Sequence, residues 1–262
     1  MADIGEVDVR NLYSDDYFSG GQGEYPDYLS EKELLIRRGM IYAGLVSRFT
    51  GKPGRLLDVG SAAGFILKGF IDSGWQGEGL EPNGSMVNYG QTHFHLDLHQ
   101  GTLESFRPTD DYDLICLIQV IAHFQDPIRA VRTCFSMLKG GGHLLVETWN
   151  WRSLTARLFG RLWHEYNPPY VIQWFSKDSL HHLLTHEGYR LTGGGRPGKK
   201  ISGRHAKFLI DHKLTGSPGG HTVSQTGPMK RLVSRVVNLL PDEMVIPYLG
   251  GDLFWTIYRK PP

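Results

Sequence analysis

Two cysteines in 262 residues, Cys116 and Cys134, are too few for a disulfide framework. Both sit among apolar neighbours, "LICLI" and "RTCFSML", and read as small core residues of a reducing compartment. An excess of one charge is also missing, since 28 Lys+Arg against 27 Asp+Glu leave a net charge of +1. No long basic run occurs. The nearest stretch, "KGGGH", reads as a helix end, so nucleic acid is not a first guess. No apolar run approaches the roughly 18 residues of a membrane span. The start, "MADIGEVDVR", lacks a basic stretch followed by an apolar one, so no signal peptide is expected. Together these absences predict a cytoplasmic protein without nucleic-acid or membrane partners. There is no internal repeat.

What is present is an alternation of strand and helix patterns. The first 30 residues form an irregular arm rich in Tyr, Asp and Gly. Ser30 and Glu33 then fit a helix-capping box, and the segment 31–49 places Leu34, Leu35, Ile41, Leu45 and Val46 on one helical face. "RLLDVG", "GEGLEP", a weaker "LDLHQ", "YDLICLIQV" and "HLLVETW" read as strands, and "FILKGFIDSG" and "MVNYGQTHF" as helices between them. "YDLICLIQV" is a continuous apolar run, as in a central strand buried on both faces. In "DPIRAVRTCFSMLKGGG", Asp126 caps a helix, Pro127 fits its first turn, and Ile128, Val131, Phe135 and Leu138 repeat along one face. Gly140 to Gly142 are expected to end it. Residues 151–177 hold an aromatic-rich insertion, and "SKDSLHHLLTHEGY" is an amphipathic helix. "YRLTGGG" and "DLFWTIYRK" are two late strands, and the Gly-, Ser- and Pro-rich stretch 213–230 is a loop. The alternation predicts an α/β fold with an open parallel sheet covered on both faces.

The stretch "RLLDVGSAAGF" puts Asp58 at the mouth of a turn with almost no side chains. Gly60, Ala62 and Gly64 let a ligand approach the backbone. In an open parallel sheet that is where ligands bind, beyond the carboxyl ends of the strands. A dinucleotide would put its diphosphate there, on glycines spaced G-x-G-x-x-G. Here the third position of that spacing is Phe65, and Asp58 would repel a diphosphate. A cationic ligand fits better, and S-adenosylmethionine, with a sulfonium, an ammonium and no phosphate, is of that kind.

The order of motifs resembles class I S-adenosylmethionine-dependent methyltransferases, in particular the bacterial small-molecule group related to ubiquinone-biosynthesis O-methyltransferases. "LLDVGSAAG" is similar to that family's first motif and "GLEP" to its second, while "GTLESF", "YDLICLIQVIAHFQDP" and "LKGGGHLLVETWN" follow in the family's order. The likeness spans roughly residues 25 to 192, and the C-terminal strand more loosely. It implies a Rossmann-like, mostly parallel sheet of seven strands, the last antiparallel, with helices on both faces. An N-terminal arm and helix over 1–50 would act as a lid, and residues 51–262 would form the cofactor-binding domain with 151–177 inserted after the fifth strand. It implies S-adenosylmethionine as cofactor, held by Asp58, Gly60, Ser61, Ala62, Gly64, Phe65, Glu81, Pro82, Thr102, Leu103 and Gln119. Glu81, about 20 residues after Gly60, would take the ribose hydroxyls. The sequence departs from the family at Ala62, where a glycine is usual, at Ala122, where a Glu precedes the His, and at Gln119, where strand four ends without an acid.

Small-molecule O-methylation is the expected reaction, because a neutral hydroxyl needs a base and His123 or His164 can supply one. N- or C-methylation, and a non-catalytic binder of the same cofactor, are the alternatives. His123 reads equally as a local hydrogen-bonding residue of the turn before Asp126. Trp149, Trp163 and Tyr166 read as substrate-pocket walls or as a packed lid, and Tyr13, Tyr17, Phe18 and Tyr28 as an aromatic cover or plain packing. His93, His95 and His99, and the pair His182 and His186, read as surface histidines, since no paired carboxylate or H-E-x-x-H accompanies them; no metal is expected. The acceptor's identity stays open, and the insertion is either a pocket wall or a homodimer contact.

Overall fold

The computed structural model describes residues 12–19, 27–208, 239, 241–248 and 250–262. Seven strands make one sheet: β1 (Arg55–Val59), β2 (Gln76–Glu81), β3 (Asp97–Gln100), β4 (Tyr112–Ile118), β5 (Leu138–Trp149), β6 (Arg190–Gly195) and β9 (Leu253–Arg259), in the order β3-β2-β1-β4-β5-β9-β6. β9 pairs antiparallel with both β5 and β6, and the remaining pairs are parallel. This is the Rossmann-like sheet the sequence predicts. Two short strands, β7 (Lys200–Ser202) and β8 (Val245–Pro247), pair in a second small sheet that the sequence reading missed. The expected loop 213–230 lies outside the described residues.

The central strands are apolar because both faces are covered. In β4, Tyr112 and Leu114 to Leu117 are fully buried. On one face, Val131 and Cys134 of the helix Pro127–Met137 pack with Leu180 and Leu184 of the helix Lys177–His186. On the other, Tyr42 and Val46 of α1 (Lys32–Thr50) pack with Leu67 and Phe70 of α2 (Phe65–Asp72). These two helices cross backbone to backbone. A Cβ on Gly39 would lie 2.1 Å from the Ile66 carbonyl oxygen, and one on Gly69 2.2 Å from that of Ile36. The buried face of α1 is therefore Leu35, Gly39, Tyr42, Ala43 and Val46. Ile41, expected on it, is 60% exposed, because the contact is built on glycines that a search for apolar residues passes over.

Two local readings are corrected. Ser30 does not form a capping box with Glu33. Residues Leu29–Glu31 are a tight turn in which Asp27 takes the Ser30 N–H, and α1 begins after it at Lys32. Gly140 to Gly142 do not end a helix. The helix stops at Met137 and β5 starts at once. Its last carbonyls are satisfied by a distant residue instead, since Lys260 Nζ donates to the carbonyls of Phe135 (2.8 Å) and Leu138 (2.6 Å). The glycines form an irregularity in β5, where the register with β4 jumps from Tyr112–Leu138 to Leu114–His143. Ile128 is largely exposed, whereas Val131 is buried as expected.

Candidate functional site

The order of the sheet reverses between β1 and β4, so the ends of these strands open a crevice. A cavity of about 470 Å³ fills it, within the range of small-molecule sites. One pole is the turn after β1. The chain passes through positive φ at Gly60 (+70°), Ala62 (+48°) and Gly64 (+74°). The Gly60 and Ser61 amides donate to the Leu80 carbonyl, at 2.8 and 3.1 Å. Glu81 locks the turn: one carboxylate oxygen accepts the Ala62 N–H and the other the Asn83 N–H, both at 2.9 Å. A Cβ on Gly60 would lie 2.2 Å from Val120 Cγ2, so the turn sits hard against the segment after β4.

Asp58 and Glu81 are both buried at this pole. Burial, and then the charge of Glu81, pushes the Asp58 carboxyl up to about 7. Burial pushes Glu81 up to about 7 as well, against the pull of the Asn83 and Ala62 N–H groups. Among the described residues neither acid has an ion-pair partner. The Ser61 hydroxyl beside them is buried and has no hydrogen-bond partner among the described residues. Two carboxylates held short of full ionisation, with an unused hydroxyl, suit a ligand that brings positive charge and hydrogen-bond donors.

At the middle of the cleft, Gln119 follows β4 with φ +60°. Its amide N–H donates to the Glu147 carbonyl (2.8 Å) and its side-chain Nε2 to Glu147 Oε1 (3.0 Å). The Glu147 side chain is fully buried and ion-paired with Arg38 of α1, which also lines the cleft. The sequence reading missed this pair. The available signal was an acid in the otherwise apolar run "LLVETW", which a strand buried on both faces tolerates only with a partner.

The far pole carries His123, the last residue of a single 3-10 turn at Ile121–His123. Its Nδ1 lies 2.8 Å from the Tyr170 carbonyl and 2.9 Å from the Tyr13 hydroxyl. Tyr13, Tyr17, Phe18 and Tyr28 of the arm also line the cavity. Asn83 ties that arm down, its Nδ2 donating to the Tyr13 carbonyl (2.9 Å) and to Asp15 (3.0 Å).

The structure therefore brings Asp58, Gly60, Ser61, Ala62, Glu81, Pro82, Thr102, Leu103, Gln119 and His123 to one cavity. It does not bring Gly64, Phe65, Trp149, His164 or Tyr166 to the wall. Gly64 caps α2 behind the turn, and Phe65 is buried beneath Tyr28, stacked on it at 5.3 Å. His164 sits in a separate box with Trp149, Trp163 and Tyr248, where its nitrogens lie 3.6 Å from Glu165 and 3.9 Å from Asp252. Tyr166 is half-exposed and stacks on Trp174. The insertion thus meets His123 through the Tyr170 carbonyl, not through these residues.

His99 groups with Glu78 and Asp97, but Glu78 already pairs with Arg55 at 2.6 Å. His93 stacks on Tyr89, and His182 lies beside His186, with ring centroids 6.3 Å apart. No helix among the described residues is long and apolar enough to cross a membrane.

Comparison with known proteins agrees with this architecture. A family model described as a methyltransferase domain matches residues 35–192. The chain is 27% identical over 167 residues to the ubiquinone biosynthesis O-methyltransferase of Bradyrhizobium sp. (strain ORS 278), covering 61% of this chain and 58% of that protein. It is 30% identical over 121 residues to the protein of that name from Marinobacter nauticus, covering 43% and 50%. The chain thus matches about half the length of these relatives. Among solved structures it resembles a SAM-dependent methyltransferase from Thermotoga maritima (TM-score 0.53, 18% identity, 90% of this chain and 96% of that one). It also resembles one from Archaeoglobus fulgidus (0.55, 16%, 89% and 99%) and the cyclase SpnF (0.53, 19%, 85% and 80%). At such identities the structural likeness speaks to the fold alone.

Proposed function

The chain belongs to the methyltransferase-domain family, and on that premise we propose that it is an S-adenosylmethionine-dependent methyltransferase that O-methylates a small-molecule acceptor. One observation carries the reading. Asp58 and Glu81, buried and without a cationic partner among the described residues, face a cleft floored by a turn nearly free of side chains. A diphosphate would be repelled there. A sulfonium and an ammonium restore the charge balance that burial denies both acids.

The residues present fit this cofactor. Asp58 and the Gly60–Ala62 turn would take its amino-acid end, Glu81 its ribose hydroxyls, and Thr102 and Leu103 its adenine. Gln119, held by Glu147, would meet the methionine portion without adding charge. When bound, the cofactor would supply an electrophilic methyl on sulfur, with a neutral thioether as the leaving group. What the chain itself supplies is placement and proton removal. The crevice sets donor and acceptor in line, which accounts for much of the acceleration in such reactions. The arm excludes water with Tyr13, Tyr17, Phe18 and Tyr28. His123 takes the proton that the acceptor hydroxyl must lose.

The test is calorimetric titration with S-adenosylhomocysteine, with NADH as control, followed by a screen of phenolic and alcoholic acceptors. Micromolar-range binding of the first ligand and none of the second supports the donor assignment. Loss of turnover in His123→Ala at unchanged S-adenosylhomocysteine affinity supports the oxygen acceptor. An unaltered turnover number between about pH 6 and 9 in that variant removes His123 as base.

A further inference from the structure

The Tyr13 side chain crosses the cleft from the N-terminal arm to the far pole. Three groups meet there within hydrogen-bond distance. His123 Nδ1 is 2.8 Å from the Tyr170 carbonyl oxygen, Tyr13 Oη is 2.9 Å from Nδ1, and Tyr13 Oη is 3.1 Å from the same carbonyl. A carbonyl oxygen can only accept. At 2.8 Å it forces the proton onto Nδ1, because two lone pairs would otherwise face each other. The Tyr13 hydroxyl then donates to the Tyr170 carbonyl and turns an oxygen lone pair toward the Nδ1–H. With Nδ1 protonated, the lone pair of the neutral ring resides on Nε2.

We propose that Tyr13 is a positioning residue for His123: by donating to the Tyr170 carbonyl it holds that acceptor against Nδ1, so that the ring keeps the Nδ1–H tautomer and Nε2 is the proton-accepting atom on a residue that lines the cleft. The inference rests on the reading of His123 as base, and it adds a residue from outside the cofactor-binding strands to the acceptor end. It also links the two poles. The Tyr13 carbonyl is held by Asn83 Nδ2 at 2.9 Å, Asp15 receives both Asn83 Nδ2 (3.0 Å) and the Ser85 hydroxyl (3.1 Å), and the Asn83 N–H donates to Glu81. The loop that carries Glu81 therefore delivers Tyr13 to the histidine, and the tautomer at the acceptor pole depends on the loop at the donor pole.

The sequence hid this role because Tyr13 and His123 are 110 residues apart. It also placed an aromatic residue among four in an arm with no period. Packing alone does not explain the geometry. A ring packed edge-on against His123, at a centroid distance of 5.7 Å, is equally served by phenylalanine. What the hydroxyl adds is the hydrogen bond to the Tyr170 carbonyl, the acceptor that fixes the tautomer.

The test reads the ring nitrogens directly. Protein labelled with ¹⁵N-histidine is examined by long-range proton–nitrogen NMR, free and with S-adenosylhomocysteine, with His123 assigned by its loss in His123→Gln. The wild type should show a single Nδ1–H tautomer with well-separated nitrogen shifts. Tyr13→Phe, which keeps the ring and its packing, should collapse that separation toward a mixture. Asn83→Ser, which keeps a capping hydroxyl for the next helix but lacks the reach to Tyr13, should do the same. Wild-type shifts retained in Tyr13→Phe would overturn the proposal, as would an Nε2–H tautomer in the wild type. Failure of the cofactor reading looks different, because S-adenosylhomocysteine would then not bind, while the tautomer of the free protein would still report on Tyr13.

Discussion

Glu81 accepts the backbone N–H of Ala62 at 2.9 Å, and Ala62 stands there in a left-handed conformation with φ +48°. The acid at the end of β2 thus shapes the turn at the end of β1 as well as facing the cleft. An L-residue in that conformation costs about 1–2 kcal/mol, and only the surrounding contacts hold it.

Ala62→Gly removes that cost and restores a bare backbone to the groove. Glycine's freedom in the unfolded chain gives back part of the gain, up to about 1 kcal/mol. The expected result is a net stabilisation of about 0.5 kcal/mol with no loss of S-adenosylhomocysteine affinity. Urea unfolding at constant slope measures it. A clear drop in the midpoint would mean that the Ala62 methyl packs usefully and that the turn is not strained.

Glu81→Ala strips the partners from two backbone N–H groups and removes the acid expected to meet the ribose. Losing hydrogen bonds of this charged kind costs about 1–3 kcal/mol each. Affinity for S-adenosylhomocysteine should fall at least about tenfold. Glu81→Gln, which can still accept from one amide, should fall between the variant and the wild type. Unchanged affinity in a folded Glu81→Ala protein would remove Glu81 from the site.

The two buried acids predict a pH dependence of definite sign. Burial pushes both Asp58 and Glu81 up to about 7 in the folded protein, whereas in the unfolded chain they titrate near 4. The folded state therefore binds more protons between about pH 4 and 7. Their contribution to stability is complete below about 4 and is lost as pH rises through about 7. A bound cation reverses the preference, because it favours the ionised acids. Binding of S-adenosylhomocysteine, whose ammonium survives methyl transfer, should release protons near pH 6.5 and tighten toward pH 8. Calorimetry in two buffers of different ionisation heat counts the protons. Zero release would show that the ligand does not meet these acids.

The turn after β1 was legible in the sequence because its parts are local. Asp58 through Gly64 is one turn, and Glu81 ends the next strand, so strand patterns placed them together and the order of motifs supplied the resemblance. The far pole was not. It is assembled from Tyr13, His123 and Tyr170, which share no period and meet only when arm and insertion fold over the sheet. In the sequence His164 read as an alternative base to His123, and Trp149 as a wall of the substrate pocket. The chain instead turns them into a box closed by Asp252, whose carboxylate takes the Trp163 indole N–H at 2.7 Å. Polar residues in an apolar strand were the overlooked signal, and Glu147 is the case in point.

Glu147 and Arg38 form an ion pair between β5 and α1, with the Glu147 side chain fully buried and that of Arg38 only 13% exposed. Removing one partner leaves the other charge stranded in the interior, which in such pairs costs about 3–5 kcal/mol. Arg38→Met should therefore destabilise strongly, and Glu147→Gln should do so less, because Gln119 can still bond the new amide. The double variant should recover much of the loss of Arg38→Met, since no charge is left unpaired. Because Arg38 lines the cleft whereas Glu147→Gln keeps the hydrogen bond to Gln119, Arg38→Met should weaken S-adenosylhomocysteine binding more than Glu147→Gln does. Denaturant unfolding of the four proteins and titration of the folded ones separate the two effects. Additive losses in the double variant would show that the pair is not coupled and that Arg38 serves the cleft alone.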